Sequence, residues 1–387
     1  MRMFHFSEGA FHHLPDEDKY ESVRVSLPNS YYDPKLGAEL YHRYLDEWLI
    51  ADDLGLDIMV NEHHQTPTCV DPAAPILLGI LARQTKNARL LILGNPIANR
   101  NQPVRVAEEM AMIDVISRGR LECGFVRSVP YEIPAANSNP VRMNERMYEA
   151  LDLIKAAWTH HDGPFSFEGR FFHHRCVNIW PRPYQQPHPP IWISSTSPEG
   201  AARVGEGGYV IGCFHTGYDG TRQVFDYYRQ GWAKAGRKGP VPEDRLGYSA
   251  LMYVGDTDEE GRAGAKKLLW YLSHNKLPVH YKNPPGYNSL DANIKALRTG
   301  KVGTREQGFV PDLDHEIETG TVFCGNPDTV YKQIKKFYDH VGGFGHLLSM
   351  GQAGFLEHEE TVKGLKIFAK KVYPRLKELK VTREAAE

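Results

Sequence analysis

ARLLILGNPIANRNQPVRVAEEMAMIDVISRGRLECGFVRS, residues 88–128, sets two short apolar runs on either side of an amphipathic one. Leu90 to Leu93 is apolar and stops at Gly94-Asn95-Pro96, the punctuation that ends a strand. After Pro103, Val104, Ala107, Met110, Ala111 and Ile113 recur at helical spacing, with Glu108 and Glu109 on the wet side. Gly119 stops this helix, and Leu121 to Val126 reads as a second buried strand. Strand, four-turn helix and strand make a βαβ crossover, which implies parallel pairing with the helix over one face. Both strands end in polar or glycine-rich residues, Gly94-Asn95 and Arg127-Ser128, where a parallel sheet places its ligands.

The 387-residue chain is long for one domain, but α/β barrels reach this size. A formal charge of -2, with dispersed basic residues, gives no sign of a nucleic-acid surface. Five widely spaced cysteines, with no CxxC pair, point to buried free thiols rather than to zinc or a disulfide framework. The start, MRMFHFSE, lacks a basic region followed by an apolar stretch, and no segment approaches a membrane span. A cytoplasmic protein is the expectation.

Outward from residues 88–128 the strand–helix rhythm continues. A first strand at 1–6 precedes a polar, histidine- and proline-rich stretch, 9–37, which reads as a long loop. A helix over 38–53 carries Leu40, Tyr44, Trp48 and Ala51 on one side, and a short strand at 57–60 delivers Asn61-Glu62-His63-His64. Downstream, 164–174 alternates as a hairpin would, and the proline-rich stretch 180–190 leads to Ile191-Trp192-Ile193 and then SSTSPEG. Residues 273–320 break the rhythm, and their length predicts a lid or insertion within a single domain. Eight strands beginning near 2, 57, 90, 121, 191, 209, 247 and 345 favour a (β/α)8 TIM barrel. The competitor, a doubly wound open sheet, lacks its GxGxxG fingerprint here.

His63 and His64 stand just past a strand, and neighbouring residues of an extended segment point to opposite sides, so one of them faces the site. A neutral imidazole there can exchange a proton near pH 7; the plainer reading is a hydrogen-bonded structural histidine. Glu62 can orient an imidazole or form a structural salt bridge. Gly94-Asn95 lets backbone approach a planar ligand, or is a plain turn. Arg127 suits a phosphate or a barrel-mouth ion pair. Ser194, Ser195 and Ser197 lie on a strand-to-helix turn that can cradle a phosphate or simply cap a helix. The histidine pairs at 12–13, 160–161 and 173–174 read as surface or loop residues. GxSxG and HExxH are absent, which disfavours a serine hydrolase and a metal site.

NEHH (61–64), QPVRVAEEMAMIDVISRGRLECGFVR (102–127), WPRPYQQPHPPIWISSTS (180–197) and AARVGEGG (201–208), in this order, resemble the bacterial luciferase-like flavin-dependent monooxygenase superfamily, in its limonene-monooxygenase-like branch. The resemblance implies a TIM barrel with reduced FMN at its carboxyl-terminal mouth. It implies flavin contacts from Glu62, Gly94, Asn95, Arg127, Ser194, Ser195 and Ser197, with His63 catalytic and a non-prolyl cis peptide at Gly94-Asn95. Val126 stands where luciferase carries a reactive cysteine, which argues against light emission. Ser194 replaces an acidic residue, and Pro198 replaces a hydroxyl residue. The implied reaction takes FMNH2 from a separate flavin reductase, forms the C4a-hydroperoxide with O2, and oxygenates a small, fairly apolar substrate in a homodimer. An F420-dependent hydride transfer and a non-catalytic flavin-binding protein are the alternatives.

Overall fold

The computed structural model describes residues 1–14, 19–274, 277–299 and 310–380. Eight parallel strands close into a barrel: β1 (Arg2–Ser7), β2 (Asp57–Val60), β3 (Leu90–Asn95), β4 (Leu121–Phe125), β7 (Ile191–Ser194), β8 (Val210–Phe214), β9 (Leu246–Val254) and β11 (His346–Gln352). They pair in that order, β9 meets β8 on one side and β11 on the other, and β11 closes on β1. The intervening β5 (Phe165–Glu168) and β6 (His173–Val177) form the expected antiparallel hairpin. A ninth parallel strand, β10 (Val322–Gly325), extends the far half of β9 and was not expected from the sequence. It is four residues long and lies beside the irregular stretch that hides its rhythm.

The strands are covered on both sides, so their residues divide by parity between two cores. Phe4, Phe6, Met59, Leu91, Leu93, Trp192, Leu251, Leu348 and Met350 belong to the cluster inside the barrel. Met3, Ile58, Val60, Leu90, Ile92, Leu121, Phe125 and Ile193 pack outward against the helices. Trp192 occupies the barrel interior, donating Nε1–H to Glu122 Oε2 at 2.6 Å and packing on Phe4 and His346. Gly247 makes room for it, since a Cβ there would lie 2.8 Å from the indole.

The helices start on a repeated device. Asp33-Pro34, Ser197-Pro198 and Asn326-Pro327 each place a capping side chain before a proline, whose missing N–H is harmless in the first turn. Hence the first long helix is Pro34–Asp53, a turn longer than the expected 38–53. The expected loop 9–37 likewise contains the short helix Val23–Ser26. Of the expected insertion, 275–276 and 300–309 lie outside the described residues; Val279–Lys282, Leu290–Thr299 and Leu313–Glu318 are helical. Cys69, Cys123, Cys213 and Cys324 are buried, but Cys176, in the hairpin, is exposed. His12 is buried rather than a surface residue. Among the described residues, no helix is long and apolar enough to cross a membrane.

Candidate active site

The carboxyl ends of β1 to β4 bring together a buried polar group. His63 follows β2, and its Nδ1 lies 2.9 Å from Oε1 of Glu132, in the short helix Glu132–Ala135 beyond β4. The same oxygen accepts the His64 N–H at 3.1 Å, and Oε2 accepts from Ser128 Oγ at 3.1 Å. Asn99 Nδ2 donates to Ser128 Oγ at 2.7 Å, so Glu132 cannot swing away without unpairing three groups. On the far side of the ring, Nε2 is 3.9 Å from Glu8 Oε1, just past β1. The His63 side chain keeps 16% of its surface, whereas Glu8 and Glu132 keep 1% and 2%.

Burial pushes the His63 imidazole below its ordinary value, against the hydrogen bond and charge of Glu132. Burial alone would raise the Glu132 carboxyl, but the His63 hydrogen bond and charge, with the His64 amide, hold it below the usual range. The consistent state is a Glu132 carboxylate holding Nδ1–H of a neutral His63, whose Nε2 lone pair faces the site; the tautomer follows from this hydrogen bond. Burial pushes the Glu8 carboxyl up to about 8, opposed by Arg24, reinforced by Asp71, and opposed by the Asn61 hydrogen bond.

The two rings of the histidine pair diverge, as extended backbone requires. His64 Nε2 meets Glu62 Oε1 at 3.2 Å, and Glu62 also takes Arg100 and the N–H of Ala74 at 3.3 Å. Glu62 therefore anchors the scaffold behind the site. The cis peptide joins Leu93 to Gly94, one bond earlier than expected. Gly94 admits the Val126 side chain, which would lie 2.4 Å from a Cβ there. Asn95 is fully buried, and neither its Oδ1 nor its Nδ2 has a partner. Arg127 lies under the ring of Tyr287, 3.7 Å from its centroid, and donates to the Tyr287 carbonyl at 3.4 Å.

Ser197 caps the helix Pro198–Gly207, accepting from Gly200 N at 3.1 Å. Ser195 Oγ lies on the same turn, against the space that a Gly200 Cβ would fill. Ser194 ends β7 and is half-buried. Phe125 of β4 pairs with Ile193 of β7, so Arg127 and Ser195 leave neighbouring strands at one level. An orphaned buried amide at one strand end, and a cation with serine hydroxyls at the next two, fit a planar group that carries a phosphate. Phe6, Leu93, Val126, Phe214 and Met350 line the adjoining core with apolar surface. A cavity of about 490 Å³ opens beside Leu246, at the opposite end of the barrel. It holds none of the expected site residues, and in such barrels chemistry sits at the carboxyl ends.

His63, Asn95, Arg127 and the serine turn, named from the sequence, lie at these strand ends; Glu8 and Glu132, which flank the His63 ring, were not named. Glu8 carried a faint signal, a carboxylate directly after an apolar strand; Glu132 carried none, since only folding brings it to His63.

The luciferase-like monooxygenase family model matches residues 28–343. The chain is 26% identical over 257 residues to the oxygenase component of flavin-dependent trigonelline monooxygenase of Acinetobacter baylyi, covering 65% of this chain and 69% of that one. It is 24% identical over 353 residues to 2,5-diketocamphane 1,2-monooxygenase 2 of Pseudomonas putida, covering 85% and 92%. The fold matches the FMN-bound oxygenating constituent of 3,6-diketocamphane monooxygenase from Pseudomonas putida, with TM-score 0.74 at 17% identity, over 98% and 99% of the two chains. With the family model spanning most of the barrel, this chain belongs to the luciferase-like monooxygenases and is an enzyme of the flavin-dependent monooxygenase type.

Proposed function

We propose that the protein is the oxygenase component of a two-component system in the cytoplasm. It takes FMNH2 from a separate flavin reductase and uses O2 to oxygenate a small, fairly apolar organic molecule. Bound reduced flavin would supply the reaction with O2 and the oxygen transfer; the chain supplies binding, orientation and proton handling. Arg127, Ser195 and Ser197 would hold the phosphate, with Ser194 beside them. Gly94 and the Asn95 amide would lie along the flavin's planar part. The apolar wall from Phe6 to Met350 would exclude water from the substrate.

The observation that carries this reading is His63: its ring is fixed through Nδ1 by Glu132, leaving Nε2 as a lone pair at the strand ends, 3.9 Å from Glu8 Oε1. The activities of the relatives support it, as does the fit of the Asn95 amide. The test supplies FMNH2 under O2 and screens small apolar compounds for oxygenated product. His63→Ala is expected to lower product formed per flavin oxidised by roughly 100-fold, the lower end for a lost acid–base group, while FMNH2 binding changes little. Equal coupling in both proteins would remove His63 from the chemistry. Tight F420 binding with negligible FMNH2 oxidation would replace the reading with hydride transfer.

A further inference from the structure

Glu8 is the least explained group at the mouth. Its carboxyl is fully buried, which is rare for a glutamate. Oε2 accepts from Asn61 Nδ2 at 3.0 Å, and the Glu8 N–H donates to the Gln352 carbonyl at 2.9 Å. Both ends of the residue are thus held. Oε1 has no hydrogen-bond partner and lies 3.9 Å from Nε2 of His63. The other ring nitrogen is 2.9 Å from Glu132. The imidazole stands between two carboxyl groups, bonded to one and about 1 Å beyond hydrogen-bond reach of the other, a gap that a small side-chain rotation closes.

We propose that Glu8 is the proton store of His63: it hands a proton from Oε1 to Nε2 and takes it back, while Glu132 fixes the ring. The O–H bond of Glu8 breaks with its electron pair staying on the carboxylate, and an N–H bond forms at Nε2. A neutral acid and a neutral imidazole become a carboxylate and an imidazolium, and the total charge is unchanged. Each new charge already has its counterpart. Arg24, on the short helix Val23–Ser26, and the Asn61 amide face Glu8, and the Glu132 carboxylate faces His63. Without such partners, charge separation in a buried site would be prohibitive. Asp71 also lies near Glu8; burial pushes its carboxyl well above the ordinary value, and its charge in turn favours the protonated form of Glu8. With its own carboxyl pushed up to about 8, Glu8 holds its proton at pH 7.

The idea rests on the oxygenase reading for its purpose, because a histidine that moves a proton each turnover must be reset before the next, and a carboxyl beside the ring can do so. Glu8 acts through His63 and is a positioning residue by that measure.

The test uses the full chain without flavin, its imidazole rings labelled with 15N, and identifies His63 by the signals lost in His63→Gln. In the unaltered protein His63 is expected to be the neutral Nδ1–H tautomer at pH 7, with its Nε2 shift showing an inflection near pH 8 as Glu8 ionises. Glu8→Gln should remove that inflection and leave the tautomer in place. In coupled turnover the same variant should lose the basic limb of the pH profile at unchanged KM, and Glu8→Asp should restore a limb at shifted pH. An inflection that persists in Glu8→Gln, or a flat unaltered protein between pH 7 and 9, overturns the role. Should Glu8→Gln fail to fold, the unaltered titration decides alone. A protein with the coupling but no FMNH2 oxidation would sink the oxygenase reading only; an active oxygenase without the coupling would sink only the role of Glu8.

Discussion

His63 shows what one residue can and cannot announce. Its place after β2 was legible, because a polar run after a short apolar strand marks a barrel mouth. The carboxyl groups on either side of its ring were not legible: Glu8 is 55 positions earlier and Glu132 is 69 later, and no local pattern links them. Gly94-Asn95 was legible as a strand end where glycine lets backbone approach a planar ligand; that the buried Asn95 amide has no partner only the structure shows. Glu8 also leaves a mark on stability. In the unfolded chain it ionises near 4.5; in the folded protein it stays protonated up to about 8. Between these values the folded state binds the extra proton, so stability is full below about 4.5 and falls as pH rises through 8. The loss amounts to a few kcal/mol, on the order of 1.4 kcal/mol per pH unit. Thermal melting is expected to show a decline from pH 5 to 8 that Glu8→Gln reduces. Parallel curves for the two proteins would contradict a protonated Glu8.

Among the elements, the long βαβ units were read almost to the residue. Pro103–Ile116 starts at the expected proline and ends before Gly119, and Leu246–Val254 begins within a residue of its expected start, because periodic burial over several turns or pleats leaves little choice. Short pieces escaped: β10 has four residues, and the Val23–Ser26 helix has four, too few for a period to show. The barrel wall itself rests on a steric fit. Gly247→Ala would set a methyl 2.8 Å from Trp192 Cζ3 and 3.3 Å from the Ile211 carbonyl. Trp192 cannot retreat without giving up its bond to Glu122, so about 1–3 kcal/mol of overpacking is expected, read from the urea midpoint. An unchanged midpoint would mean that the indole has room. The insertion meets the mouth through Tyr287, which stacks on Arg127 and donates to the Ser128 carbonyl at 3.0 Å. If residues 273–320 serve as a lid, Tyr287→Ala removes roughly 1–2 kcal/mol of docking from stack and hydrogen bond. Limited trypsin digestion should then cut the insertion about 5–30-fold faster. Equal rates would show that Tyr287 does not hold it down.

For the whole molecule, the barrel explains how one chain keeps a buried polar group at its strand ends, but two neighbouring helices on its flank are left incompletely covered. Ala74–Gln84 presents Ile76, 66% exposed, and Pro103–Ile116 presents Met112, 55% exposed, with Val115 and Ile116 beside it. Single exposed apolar residues are ordinary, but several large ones on adjacent helices are what an interface uses. We propose this flank as the seat of the homodimer that the family resemblance implies, a second copy laying the same helices against these in a two-fold arrangement. Both helices also follow strands that build the mouth, so such an interface would stiffen the elements that carry His63 and Asn95. Light scattering should give about twice 43.9 kDa for the unaltered chain. Ile76→Glu with Met112→Glu buries two unpaired carboxylates from each copy in that interface and should return the mass to one chain, with the far-UV spectrum preserved. A dimer that survives both substitutions would place the interface on another face.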